Sequence, residues 1–170
     1  MAKLFDERYI EGMSNIRFIA DNTFHIEKSA VYLNIGEGIK SVEFIRVINE
    51  KLVFVEAETT FPNPDNPSLE NNEKFQNEID DICDKFIHSL NLFSAIEIGI
   101  KEEIFAEDFI LQKKITIVLI LVLRNHKLKW CKKIKPKLIS SLPSYLKKIW
   151  APEVYVINHE TAKKRNLVLN

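Results

Sequence analysis

The chain has 170 residues, of which 46% are hydrophobic and 28% charged, with a formal net charge of zero. That length suits one domain, able to bury roughly two thirds of its unfolded surface without staples. Only four glycines and no P-loop or dinucleotide fingerprint argue against a glycine-built phosphate cradle, and two cysteines without metal-pair spacing argue against a zinc or disulfide scaffold.

The zero net charge conceals an imbalance. Residues 1–85 carry 17 Asp and Glu against 9 Lys and Arg, a net of −8, and residues 86–170 carry 7 against 15, a net of +8. Such asymmetry marks either a polyanion-facing surface or two halves that complement each other within the fold. The N-terminus, Met-Ala-Lys-Leu-Phe-Asp-Glu-Arg, has no apolar signal core. The longest apolar run, Ile115 to Leu123, is about half of what a membrane helix needs. These features predict a cytoplasmic, reduced, soluble protein with no membrane contact.

In chain order, residues 3–12 suit a short helix, and Ile16 to Ala20 and Thr23 to Ile26 suit short extended pieces. Ser29 to Leu33 suits a helical turn, and Gly36-Glu37-Gly38 is a turn signal. Strands follow at about 41–48 and 51–60, joined by Asn49-Glu50 in a tight hairpin. The segment Phe61 to Ser68 holds three prolines, which forbid ladder hydrogen bonds and end the second strand. Ser68 or Asn72 is placed to cap the next element.

That element is a helix over 73–94, where Phe75, Ile79, Ile82, Phe86, Leu90 and Phe93 recur at steps of three and four. Glu78, Lys85 and Ser89 lie beside this stripe, and Cys83 reads as a packed thiol. The segment 97–114, acidic and then basic, is an excursion between elements. Ile115 to Leu123 is apolar on both faces and β-branched, the pattern of a strand buried between helical layers. Lys135 to Trp150 is helical in spacing, with Pro143 implying a kink or a split. Val154 to Ile157 is a last short strand, and Asn158 caps a turn through Arg165. A hairpin followed by strand-helix-strand units predicts one α/β domain with a mixed central sheet flanked by helices.

The chemistry concentrates where the second strand ends. In Val55-Glu56-Ala57-Glu58 the two acids are spaced i, i+2, so they point the same way at about 7 Å. Glu43 lies on the strand before, and two acids on paired strands make a site for a hard cation. Glu43 and Glu56 supply oxygen ligands of the kind Mg²⁺ or Mn²⁺ takes, and no organic cofactor is indicated. The alternative is a solvated sheet face, since simple alternation also explains acids between Val42, Phe44, Val53 and Val55.

This order, with acids on adjacent strands, resembles the core of the restriction-endonuclease-like PD-(D/E)XK superfamily. There an acid on one strand and an acid-x-Lys on the next bind magnesium and position a nucleophilic water. Glu43 matches the first acid and Glu56 the second, while Glu58 falls where the pattern has lysine. The chain is also similar to a group of bacterial proteins of comparable length and unassigned activity. They share Phe24-His25-Ile26-Glu27-Lys28-Ser29, Glu56-Ala57-x-Thr59 followed by Pro-Asn-Pro, and a C-terminal Asn-x-x-x-Ala-Lys-Lys. Lysine is common in that group at the Glu58 position.

Some members of the superfamily relocate the lysine to the following helix, and Lys85 is the corresponding candidate here. Its other reading is a side chain that snorkels past Phe86 or pairs with Asp81 or Glu78. The run that includes Lys129, Lys132, Lys133 and Lys135 surrounds Trp130. It suits either nucleic-acid backbone binding or a solvated connection anchored by the tryptophan. Among the histidines none is at i, i+4 from another, which disfavours zinc.

The resemblance therefore implies a degenerate nuclease-like site, with Glu43, Glu56, Glu58 and Lys85 as catalytic candidates. The reaction would be metal-dependent phosphodiester hydrolysis, or the protein would simply bind nucleic acid. The competing expectation is a non-catalytic module on the same fold, serving a protein partner or a homodimer.

Overall fold

The computed structural model describes residues 21–124 and 126–168. The expected helix over 3–12 and the extended piece over 16–20 lie outside those residues. The protein is an α/β domain built on a five-stranded mixed sheet. Strands β1 (Thr23–Phe24), β2 (Phe44–Ile48), β3 (Lys51–Glu58), β4 (Thr116–Leu123) and β5 (Glu153–Asn158) lie in chain order across it. The β1–β2 and β2–β3 pairs are antiparallel, and β3–β4 and β4–β5 are parallel. Helices α1 (Ala30–Ile35), α2 (Leu69–Glu97), α3 (Leu128–Ser141) and α4 (His159–Lys164) complete it, with a 3-10 turn at Ile26–Lys28.

Two crossovers, through α2 and then α3, step the chain in one direction across the parallel strands. A single crossover hand then puts both helices on the same face. Leu52 and Phe54 of β3 and Ile117, Leu119, Leu121 and Leu123 of β4 pack there with Ile79, Ile82, Phe86, Ile134 and Leu138. The other face buries Val53, Val55, Val118, Ile120 and Val122 against Ala162, Leu167 and Val168. β4 is apolar at consecutive positions because both of its sides are covered.

The hairpin turn at Asn49-Glu50 places Asn49 at φ 53°, a left-handed conformation that asparagine tolerates. α2 begins at Leu69, four residues before the expected start at 73, because the Ser68 hydroxyl accepts the Asn71 N–H at 3.2 Å and closes the first turn. Ser29 and Asn158 cap α1 and α4 in the same way.

The expected helix over Lys135–Trp150 is displaced. α3 runs from Leu128 to Ser141 and contains Pro136, while Pro143 separates it from a π-helical turn, Leu146–Trp150. Pro136 carries no N–H for the carbonyl four residues earlier, a loss α3 accommodates. The excursion 98–115 has no helix or strand, yet it is anchored. Phe105 and Phe109 stack at 4.8 Å between centroids, and Phe105 meets Phe24 edge-on at 4.9 Å. Among the described residues no helix is long and apolar enough to cross a membrane.

Candidate functional site

Alternation along β3 turns Glu56 and Glu58 to the α2 side, beyond Leu52 and Phe54, while Val53, Val55 and Ala57 face the other core. α2 crosses above and presents Lys85 from the edge of its apolar stripe. The Lys85 Nζ lies 2.7 Å from Glu56 Oε1, 3.1 Å from Glu58 Oε1 and 3.5 Å from Asp81 Oδ2. The Glu56 side chain is 3% exposed, Glu58 19% and Lys85 22%, so the group is enclosed but reachable from one side. Glu56 Oε2 is buried and has no hydrogen-bond partner among the described residues.

One ammonium between two carboxylates leaves a negative charge uncompensated. Burial makes that charge costly and pushes the Glu56 carboxyl up to about 8, against the pull of Lys85, with Glu58 adding repulsion. Burial alone would lower Lys85, but the charges and hydrogen bonds of Glu56 and Glu58 prevail and raise it, so it stays cationic. Glu78, half-buried on the same helix, is raised by its own burial and then by the nearby Glu58.

The polar row of α2 continues onto the chain entering β2. Lys40 Nζ is 2.9 Å from both Asp81 Oδ1 and Asp84 Oδ2. The Lys40 N–H donates to His88 Nδ1 at 3.1 Å, and the Val42 N–H donates to Ser89 Oγ at 2.8 Å. Asp81 thus joins Lys40 and Lys85 in one network, a link that helical spacing alone does not reveal.

Glu43, the remaining catalytic candidate, immediately precedes β2. It is buried, and one ligand atom each from His25, Glu27 and Glu43 lie within 4.8 Å of one another at the β1–β2 edge. Strict alternation fails just here. Val42 and Ile45 both pack in the α2-side core, and Phe44 in the other. The Glu43 N–H bonds the Val55 carbonyl although Phe44 is the register partner of Val55, so two residues oppose one, as in a bulge. Glu43 thus groups with His25 and Glu27, and Glu56 with Glu58 and Lys85.

The four candidate nucleic-acid lysines also separate. Lys129 and Lys133 both reach Asp65 in the proline-rich loop, the former at 3.4 Å, and hold its carboxyl below the usual range. Lys135 lies 5.1 Å over the Tyr155 ring. Lys132 is exposed and makes no ion pair among the described residues. Trp130, partly buried against the core, stacks obliquely on His126 at 4.9 Å. Cys83 and Cys131 are buried free thiols, and burial pushes Cys83 up to about 12.

Two buried or half-buried carboxylates, an unpartnered carboxylate oxygen and a mobile-length ammonium can hold a hard cation and donate to a phosphate oxygen. No protein-family model, no curated protein and no solved structure matches this chain.

Proposed function

We propose that this protein acts on nucleic acid through a divalent-cation-dependent phosphodiesterase centre, a degenerate form of the restriction-endonuclease-like site. Glu56 and Glu58 would hold Mg²⁺ or Mn²⁺, with Glu43 left outside this ligand set. The reading is carried by Glu56 Oε2, an oxygen buried without a partner beside a second carboxylate and a shared lysine. Its donor chemistry fits the ion, since magnesium takes one or two carboxylates and completes its shell with water and phosphate. The bound ion would supply charge neutralisation at the phosphate and a more acidic water. Lys85, released from its role as counter-ion, would orient the attacking water or stabilise charge on the phosphate, and β3 would hold both carboxylates in place. Two buried free thiols fit a reducing compartment such as the cytoplasm.

Manganese titrated into the protein in a calorimeter should give heat that Glu56→Ala abolishes. Supercoiled plasmid with divalent metal reports hydrolysis directly, and Glu58→Ala should lower it. Heat that persists in folded Glu56→Ala protein, or nicking by folded Glu58→Ala protein as fast as by the native protein, would overturn the reading.

A second reading, a non-catalytic module on the same fold, is favoured by one observation. Exposed Ile98, Ile149 and Trp150 border an apolar cavity of about 500 Å³ that reaches Leu90 and Phe93. A homodimer through that face would show as concentration-dependent sedimentation that Ile149→Lys removes.

A further inference from the structure

We propose that a cavity at the carboxyl edge of the sheet receives one unpaired base of a single-stranded nucleic acid. This inference rests on the nucleic-acid reading above, but not on the metal centre. The cavity measures about 280 Å³ and is lined by Asn63, Asp65, His126, Lys127, Lys129 and Trp130. It opens where the chain leaves β3 through Phe61 and leaves β4 through Arg124, the edge on which Glu58 and Lys85 also lie. Parallel strands of α/β sheets gather ligands outside their carboxyl ends.

The lining has the parts that base recognition requires. Trp130 supplies a flat π-surface, and its neighbour His126 is fixed edge-on against Phe61, with ring centroids 6.5 Å apart. A hydrogen bond to the Phe61 backbone also holds the His126 ring, and burial lowers its pKa, which favours the neutral imidazole. His126 Nδ1 is buried and has no hydrogen-bond partner among the described residues, an unmet acceptor that a base amine or imino N–H seated against the ring would satisfy. The Asn63 Oδ1 accepts the Asp65 N–H at 2.9 Å, which fixes the amide and leaves its Nδ2 donor for a base acceptor. One donor and one acceptor against a ring stacked on tryptophan is the chemistry by which splayed-out bases are read.

Charge suits the same occupant. Lys127 is exposed and makes no ion pair among the described residues, so it is free for a flanking phosphate. The one carboxylate in the lining, Asp65, is already matched by Lys129 and Lys133. The volume admits a single planar ring with its sugar edge, whereas cavities for drug-sized ligands start near this size. A duplex cannot present a ring face here without unstacking, which selects single strands.

The test uses the full chain carrying Trp150→Phe, which leaves Trp130 as the only tryptophan. It is run in chelator, so that no metal contributes. Titration with a deoxyadenylate octamer should quench Trp130, and an abasic octamer of equal length should bind about tenfold more weakly, as loss of one stacked base implies. His126→Ala should narrow that difference by weakening the deoxyadenylate octamer. Equal affinity for the two octamers, or binding seen by anisotropy without quenching, would reduce the surface to a phosphate contact and overturn the proposal. Adenosine monophosphate quenching as tightly as the octamer would overturn the assignment to a strand. Protein with Glu56 intact, assayed in parallel with Mg²⁺ or Mn²⁺, separates the two ideas, because quenching in chelator with no hydrolysis in either metal upholds the base pocket and rejects the metal centre.

Discussion

Replacing Glu56 by glutamine should remove a loss of stability that sets in as pH rises. Glutamine keeps the shape of the protonated side chain and cannot ionise. In the native protein burial lifts the Glu56 carboxyl from an ordinary 4.5 to about 8. Between those values the folded chain holds a proton that the unfolded chain has released, so unfolding free energy falls as pH rises. The stabilisation is complete below about pH 4.5 and is lost as pH climbs through about 8. At about 1.4 kcal/mol for each tenfold, the loss reaches on the order of 5 kcal/mol across that window. Lys85 remains cationic throughout, and Glu58, Glu78 and Asp81, which face the same pocket, are common to both proteins. Urea unfolding in chelator, followed by circular dichroism from pH 5 to 9, gives the two curves. The difference between native and Glu56→Gln protein should be small at pH 5 and should favour the variant by several kcal/mol at pH 9. Parallel curves over the whole range would show that Glu56 is ionised in the fold at every pH tested and would refute the argument from burial.

Other perturbations address the frame around the site. Phe54→Ala should cost about 3–5 kcal/mol in urea unfolding, since the ring is fully buried between β3 and α2 and meets Phe93 edge-on. Ser68→Ala removes the hydroxyl that closes the first turn of α2 and should cost about 1 kcal/mol by the same assay. Asn49→Val forces a β-branched side chain into a left-handed turn and should cost about 1–2 kcal/mol, whereas Asn49→Gly should be nearly neutral. If the lysine face meets phosphates, Lys132→Ala should weaken binding evenly across sequences and lower the slope of log affinity against log salt by about one.

Most of the scaffold was legible in the sequence because its signals were local. The stripe from Phe75 to Phe93, the doubly apolar Thr116–Leu123 strand and the proline block after Phe61 each answer to one periodicity or one steric rule. Lys85 was legible as well, since its place beside the stripe put it over the end of β3. The companionship of Glu43 was not. A period-two pattern carries no mark of a slip between Val42 and Ile45, and one residue of slip moves a carboxylate to a different set of neighbours. The anchoring of 98–115 escaped for a related reason. Phe105 and Phe109 obey no helical or strand period, and their partner Phe24 lies some eighty residues earlier in the chain. Pro136 shows the reverse case, in which a breaker by local rules is overridden by packing of Ile134 and Leu138 into the core.

The doubly apolar strand β4 carries a hazard during synthesis. Thr116–Leu123 leaves the ribosome before β5, the neighbour that closes one of its edges, and such a segment, rich in β-branched residues and without charge, readily pairs with copies of itself. Lys113 and Lys114 precede it and Arg124 follows, so like charges stand at both ends of the exposed ribbon. They act as gatekeepers against self-association while the last quarter or so of the chain is still being made.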